Sequence, residues 1–328
     1  MAWIAAGLLL PTGGSTQSPP DAAALPPEQE LATLLVTGER PGPALWKVTW
    51  RDHTLWMLPV LSPLPRQVAW RSREVEQVLA QSQAVYTEPS LDIDLDSGGK
   101  ATAAVYAALL NPGHHWLRDI LPADLYAEFS AFNRSYAGND VRLEVFRPFY
   151  AFLQLRKEAL QRLHLDSDGQ VHEQIARAAR EHGVALHSLG REVRPRQRTL
   201  ASNLARIAPQ ADTDCARAQM LALQREMRAA IDRANAWSVG DIAALRADWA
   251  AGRQQPQAAS CGALFEQLTP TRRAIRDIRN AAYGTLQKAL RGNRSTLALV
   301  LPEDVFEPDG LVARLRAAGY QVTEPDGA

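Results

Sequence analysis

The sequence predicts a mixed α/β fold: a central β-sheet built from N- and C-terminal strands, with a large helical insertion between them. Three observations carry that expectation. Residues 44–50 and 54–58 are rich in β-branched and aromatic side chains on either side of Arg51-Asp52-His53, the pattern of an opening hairpin. Residues 296–301 read Thr-Leu-Ala-Leu-Val-Leu, a continuous apolar run of the kind a strand buried on both faces carries. Between these ends, apolar residues recur mostly with helical spacing. Strands at both termini around a helical middle are most economically joined in one sheet.

Element by element, Ser72 is placed to cap a helix running to about Ala84, with Val75, Val78 and Leu79 as its apolar stripe, and residues 85–88 follow as a strand ended by Pro89. Helices are expected at 101–110, 123–133 and 141–163, the last carrying Phe146, Phe149, Tyr150 and Leu153 on one side. A further helix at 170–182 stops at Gly183, where a residue of positive φ belongs, and residues 184–187 form a strand. Helices then follow at about 197–207, 215–236, 241–250 and 270–291. After the buried strand, 310–318 is helical and 319–322 is a final strand.

Length and charge narrow the function. The 328 residues hold 36 basic and 36 acidic side chains, so no global field draws the protein onto a polyanion, and nucleic acid is not an expected partner. The basic residues are 32 Arg and 4 Lys, the arginines spread over most of the expected helices in the manner of a coding bias. Arg191, Arg194, Arg196 and Arg198 are spaced to hold a phosphate or carboxylate, a solvated loop being the plainer reading.

Residues 1–11 form an uncharged apolar run too short to span a membrane, which takes about 20 residues. They fit the core of a signal peptide over 1–18, although the first basic residue is Arg40 and a basic start is missing. A Pro/Ala-rich linker over 19–43, a domain over 44–323 and a tail over 324–328 complete the expected organisation. The expected location is the periplasm or cell envelope, with no transmembrane span in the mature protein. Cys215 and Cys261 would form one disulfide in an exported chain and remain thiols in a cytosolic one.

Motif by motif, little chemistry is recognisable. Asp92, Asp94 and Asp96 resemble the start of a calcium loop, but Ser97 and Ala103 stand where that loop needs Gly and Glu. His172-Glu173 opens a zinc-protease pattern, yet Ala176 occupies the second ligand position. His114 and His115 are adjacent, and neighbours in sequence seldom face one metal; Asp166-Ser-Asp168 reads as a turn. No nucleophile elbow, Walker A loop or dinucleotide fingerprint occurs.

Segments 43–48, 85–88, 116–125 and 309–322 together resemble the TraB/GumN family, related to the Tiki metalloproteases, over about 44–323. The resemblance implies an α/β fold and an exported bacterial protein. It also implies a divalent metal held by two Gly-x-x-His motifs, one after the opening hairpin and one on the C-terminal strand, with a Glu on the strand between. Glu88 takes the Glu position. The first motif is replaced by Pro59-Val60-Leu61-Ser62 and the second by Leu301-Pro302-Glu303-Asp304, so both histidines are lost.

The expectation is a catalytically degenerate envelope protein, needing no cofactor and binding or regulating an envelope protein or peptide. Glu88 is then a partly buried carboxylate paired with an arginine. The alternative is a metal-dependent peptide hydrolase whose site is rebuilt from Glu88, Glu303 and Asp304, an oxygen-only set suited to Mn²⁺, Mg²⁺ or Ca²⁺. The resemblance further implies a cysteine pair, and hence a Cys215–Cys261 disulfide.

Overall fold

The computed structural model describes residues 42–66, 68–70, 73–93, 100–166, 170–193, 197–253, 258–268 and 271–325. The expected signal segment, nearly all of the linker, the helix cap Ser72, the aspartates at 94, 96 and 168 and the arginines at 194 and 196 lie outside the described residues.

In chain order the elements are β1 (Trp46–Trp50), β2 (His53–Pro59), β3 (Leu64–Pro65), α1 (Arg73–Gln81), β4 (Ala84–Tyr86), β5 (Leu91–Ile93), α2 (Lys100–Leu109), α3 (Leu117–Ile120), α4 (Ala123–Tyr136), α5 (Pro148–Arg162), β6 (Leu165–Asp166), α6 (Gln170–Glu181), β7 (Ala185–His187) and β8 (Arg191–Val193). Then come α7 (Gln197–Ala205), α8 (Pro209–Ser238), α9 (Ile242–Arg253), α10 (Ala258–Leu268), α11 (Thr271–Gly292), β9 (Ser295–Val300), α12 (Pro302–Phe306), α13 (Leu311–Ala317) and β10 (Gln321–Thr323).

Six strands make the main sheet in the order β10-β1-β2-β9-β4-β7. N- and C-terminal strands share it, with the helical insertion between them in sequence. Strand β1 runs antiparallel to both neighbours, whereas β2, β9, β4 and β7 are mutually parallel. Parallel strands present their C-terminal ends at one edge. The register sets Pro59 beside Val300 and Tyr86 beside Ala298, so the chain leaves β2, β9 and β4 at nearly the same level.

Local chemistry explains the elements. Strand β9 is buried at Leu297, Ala298, Leu299 and Val300, matching its unbroken apolar run. Helix α1 buries Val75, Val78 and Leu79. Helix α6 buries Val171, Ile175, Ala178 and Ala179 and ends at Gly183, whose φ of 67° only glycine adopts without cost.

The expected helix over 141–163 is two elements. A 3-10 turn covers Val141–Val145, and α5 starts at Pro148, which lacks the N–H an uninterrupted helix would need. The inward face of α5 is Phe149, Phe152, Leu155 and Ala159, while Leu153 is 37% exposed. Helices α10 and α12 were not anticipated.

The insertion has apolar cores of its own, one centred on Phe129, Phe152, Leu155 and Met220. Beside it lies a buried ion pair: Arg147 Nη1 donates to Asp212 Oδ2 at 3.1 Å, and Asp212 Oδ1 accepts the Phe149 N–H at 2.7 Å. These bonds tie the start of α5 to the first turn of α8. Burial still pushes the Asp212 carboxyl above its ordinary value. Cys215 and Cys261 form a disulfide between α8 and α10 across a separation of 46 residues. Among the described residues no helix is long and apolar enough to cross a membrane.

Candidate functional site

A cleft of about 470 Å³ opens where β2 and β9 end. The chain just beyond β2 contributes Val60, Leu61 and Ser62, and the segment from β9 into α12 contributes Leu301, Pro302, Glu303 and Phe306. Helices α8 and α9 close the other side with Arg225, Glu226, Arg233, Leu245, Asp248, Trp249, Gly252 and Arg253. Carboxyl ends of parallel strands are the usual place for a ligand in an open α/β sheet. Both tetrapeptides singled out in the sequence therefore meet at this cleft.

Each wall has a local cause. The Trp237 indole N–H donates to Pro59 O at 2.7 Å, and Trp237 packs its ring against Trp70 at 5.6 Å between centroids, which clamps the end of β2 against α8. Asp304 sits at the third position of α12 and accepts the Leu301 N–H at 3.0 Å, so it caps the helix instead of facing a ligand. Burial raises the Asp304 carboxyl from 3.8 to about 6, against the opposing pull of that N–H and of Arg279. Gly310 leaves no room for a side chain, because a Cβ there would stand 2.4 Å from Glu303 O, and this close approach holds the α12–α13 turn.

The predicted carboxylates have separate partners. Glu303 pairs with Arg279 from α11. Glu88, two residues beyond β4, is met by His172 of α6, whose Nε2 lies 2.5 and 2.6 Å from its two carboxylate oxygens. Glu88 is thus partly buried and paired, and its partner is a histidine, not the expected arginine. His114 stands in a short 3-10 turn with its neighbour His115 just after it. Arg191 lies in β8 and Arg198 in α7, away from the lining of the cleft.

A divalent cation of the kind the resemblance implies would need several oxygen or imidazole donors converging on one point. The residues here do not meet that requirement. Asp304 is engaged by a backbone N–H, Glu303 by a guanidinium and Glu88 by an imidazole, and among the described residues no group of three or more His, Cys, Asp or Glu is placed to hold a metal.

Comparison with known families decides the lineage. Residues 44–324 match the TraB/PrgY/gumN family. The chain belongs to this family. No curated protein and no solved structure shows a significant match to it. In this TraB/PrgY/gumN member the segments at 60–62 and 301–306 form one wall of the cleft, and helices α8 and α9 supply the rest.

Sequence reasoning expected those helices at about 215–236 and 241–250 but missed that they line a cleft. Arg225 and Arg233, eight apart on α8, lie on one helix face, and Arg233 falls among the buried positions Ala230, Ala234 and Trp237. A charged residue inside an apolar stripe was the available signal. It was lost in a sequence whose arginines occur on most of its helices.

Proposed function

We propose that this TraB/PrgY/gumN protein is an exported, catalytically degenerate member of its family, acting as a binding or regulatory module of the periplasm or cell envelope toward an envelope protein or peptide. The observation that carries the reading is the wall of the cleft. Where the family pattern calls for two imidazoles, this chain has Ser62 and Asp304, and Asp304 is spent on capping α12. The facing wall supplies three guanidinium groups against the two carboxylates of Glu226 and Asp248, a positive balance that repels a cation.

Export is supported by the Cys215–Cys261 bridge, a bond that persists in oxidising compartments, and by the apolar segment at 1–11. The rebuilt carboxylate hydrolase has weaker support, because each of its three acids already has a different partner. The test is peptide digestion. A mixed peptide library is incubated with the purified full chain with and without Mn²⁺ or Co²⁺ and read by mass spectrometry. No new termini are expected; metal-dependent cleavage would refute the degenerate reading.

A further inference from the structure

The cleft lining carries three arginines and three acids, but the partners that reach in from outside leave one arginine in excess. Glu226 is held by Arg156 from α5 through two hydrogen bonds of 2.8 and 2.9 Å, and Glu303 is held by Arg279. Arg253 is matched by Glu307. What is left is Arg225 and Arg233 sharing the single carboxylate of Asp248. Arg233 Nε donates to its Oδ2 at 2.8 Å, and Arg225 Nη1 stands 3.6 Å from its Oδ1. Two cations thus face one anion.

The deeper cation is also incompletely bonded. Arg233 is 9% exposed and lines the cleft, and its Nη2 is buried without a hydrogen-bond partner among the described residues. A buried guanidinium N–H left unpaired is costly, and a carboxylate or phosphate oxygen is the acceptor that best relieves it. Apolar side chains border the same space: Leu61, Leu245, Trp249 and Phe306. Ligand sites commonly combine such apolar side chains with a few convergent polar groups.

We propose that the cleft is a binding site for a small organic anion with an apolar body, its charged head on Arg233 and Arg225 and its body against Trp249, Phe306 and Leu245. This rests on the binding-module reading and names the class of ligand. The surplus positive charge supplies attraction, and the apolar side chains discriminate against free inorganic anions.

The test is calorimetric titration of the full chain with octanoate, octanol and inorganic phosphate, in EDTA so that no metal contributes. Octanoate should bind saturably, octanol at least about tenfold more weakly, and phosphate more weakly than octanoate. Arg233→Met, which keeps an apolar stem, should lower octanoate affinity by about tenfold or more. Arg225→Gln, at a half-exposed position less critical to folding, should lower it severalfold. Equal affinity for octanoate and octanol, no binding of any probe, or wild-type affinity in folded Arg225→Gln would overturn the proposal. Octanoate offers no bond to hydrolyse, so a negative result here speaks only to the anion site, whereas metal-dependent peptide cleavage would sink the degenerate reading and leave the anion site standing.

Discussion

His172 Nε2 stands 2.5 and 2.6 Å from the two carboxylate oxygens of Glu88, joining helix α6 to the segment just past β4 across 84 residues of sequence. Glu88 is the acid for which the sequence raised the expectation of a metal site. Here that acid is engaged by an imidazole. The contact ties the α6 layer to the same sheet edge that carries the cleft.

The pair should be measurable as a coupling energy. Glu88→Gln and His172→Ala, with the double variant, form a cycle in which the interaction term should be about 1 kcal/mol, since a charge-assisted bond at a partly exposed site is only moderately stabilising. Urea unfolding of the four proteins supplies the number. A coupling indistinguishable from zero would mean that the contact contributes nothing to the fold.

Asp304 makes stability depend on pH in an unusual direction. Its folded value of about 6 lies above its ordinary 3.8, so between those two values the native state binds more protons than the unfolded chain. The stabilisation from the protonated acid is complete below about pH 4 and is lost as the pH rises through 6, on the order of 3 kcal/mol. Asp304→Asn keeps a capping oxygen for the Leu301 N–H and removes the titration. Denaturant midpoints from pH 4 to 7 should therefore fall less in Asp304→Asn than in the wild type; parallel curves would exclude this role for Asp304.

The sheet was legible because its strands carry their burial in composition. The β1–β2 hairpin and the run at 296–301 could hardly be read otherwise, and Gly183 marked the end of α6. The break at Pro148 is hidden in the pattern, because apolar residues continue with helical spacing on both sides of it. Helix α12 is only five residues long, too short for periodicity to register. The cleft was half legible. Its strand-end wall followed from the two altered tetrapeptides, but the meeting of Arg233 with Asp248, 15 residues apart across the turn between α8 and α9, depends on how those helices pack. The Glu88–His172 pair depends in the same way on α6 folding back over the sheet.

The disulfide should be a substantial source of stability. Cys215–Cys261 closes a loop of 46 residues in separation, for which the chain-entropy model gives about 4 kcal/mol. Cys215 is fully buried beside α10, so Cys215→Ala with Cys261→Ala is the milder replacement than two serines. The double variant should melt lower by on the order of 10 °C in calorimetry. A change within 1 or 2 °C, roughly the size expected of a surface substitution, would show that helix packing alone fixes α10.

The most direct measurement is a calorimetric titration of the purified, chelator-stripped full chain with Mn²⁺. No saturable binding is expected, because Asp304 caps α12, Glu303 is held by Arg279 and Asp248 is already shared by Arg225 and Arg233. Stoichiometric Mn²⁺ binding that disappears in Glu88→Ala would contradict it, and would place a working metal centre at the strand ends.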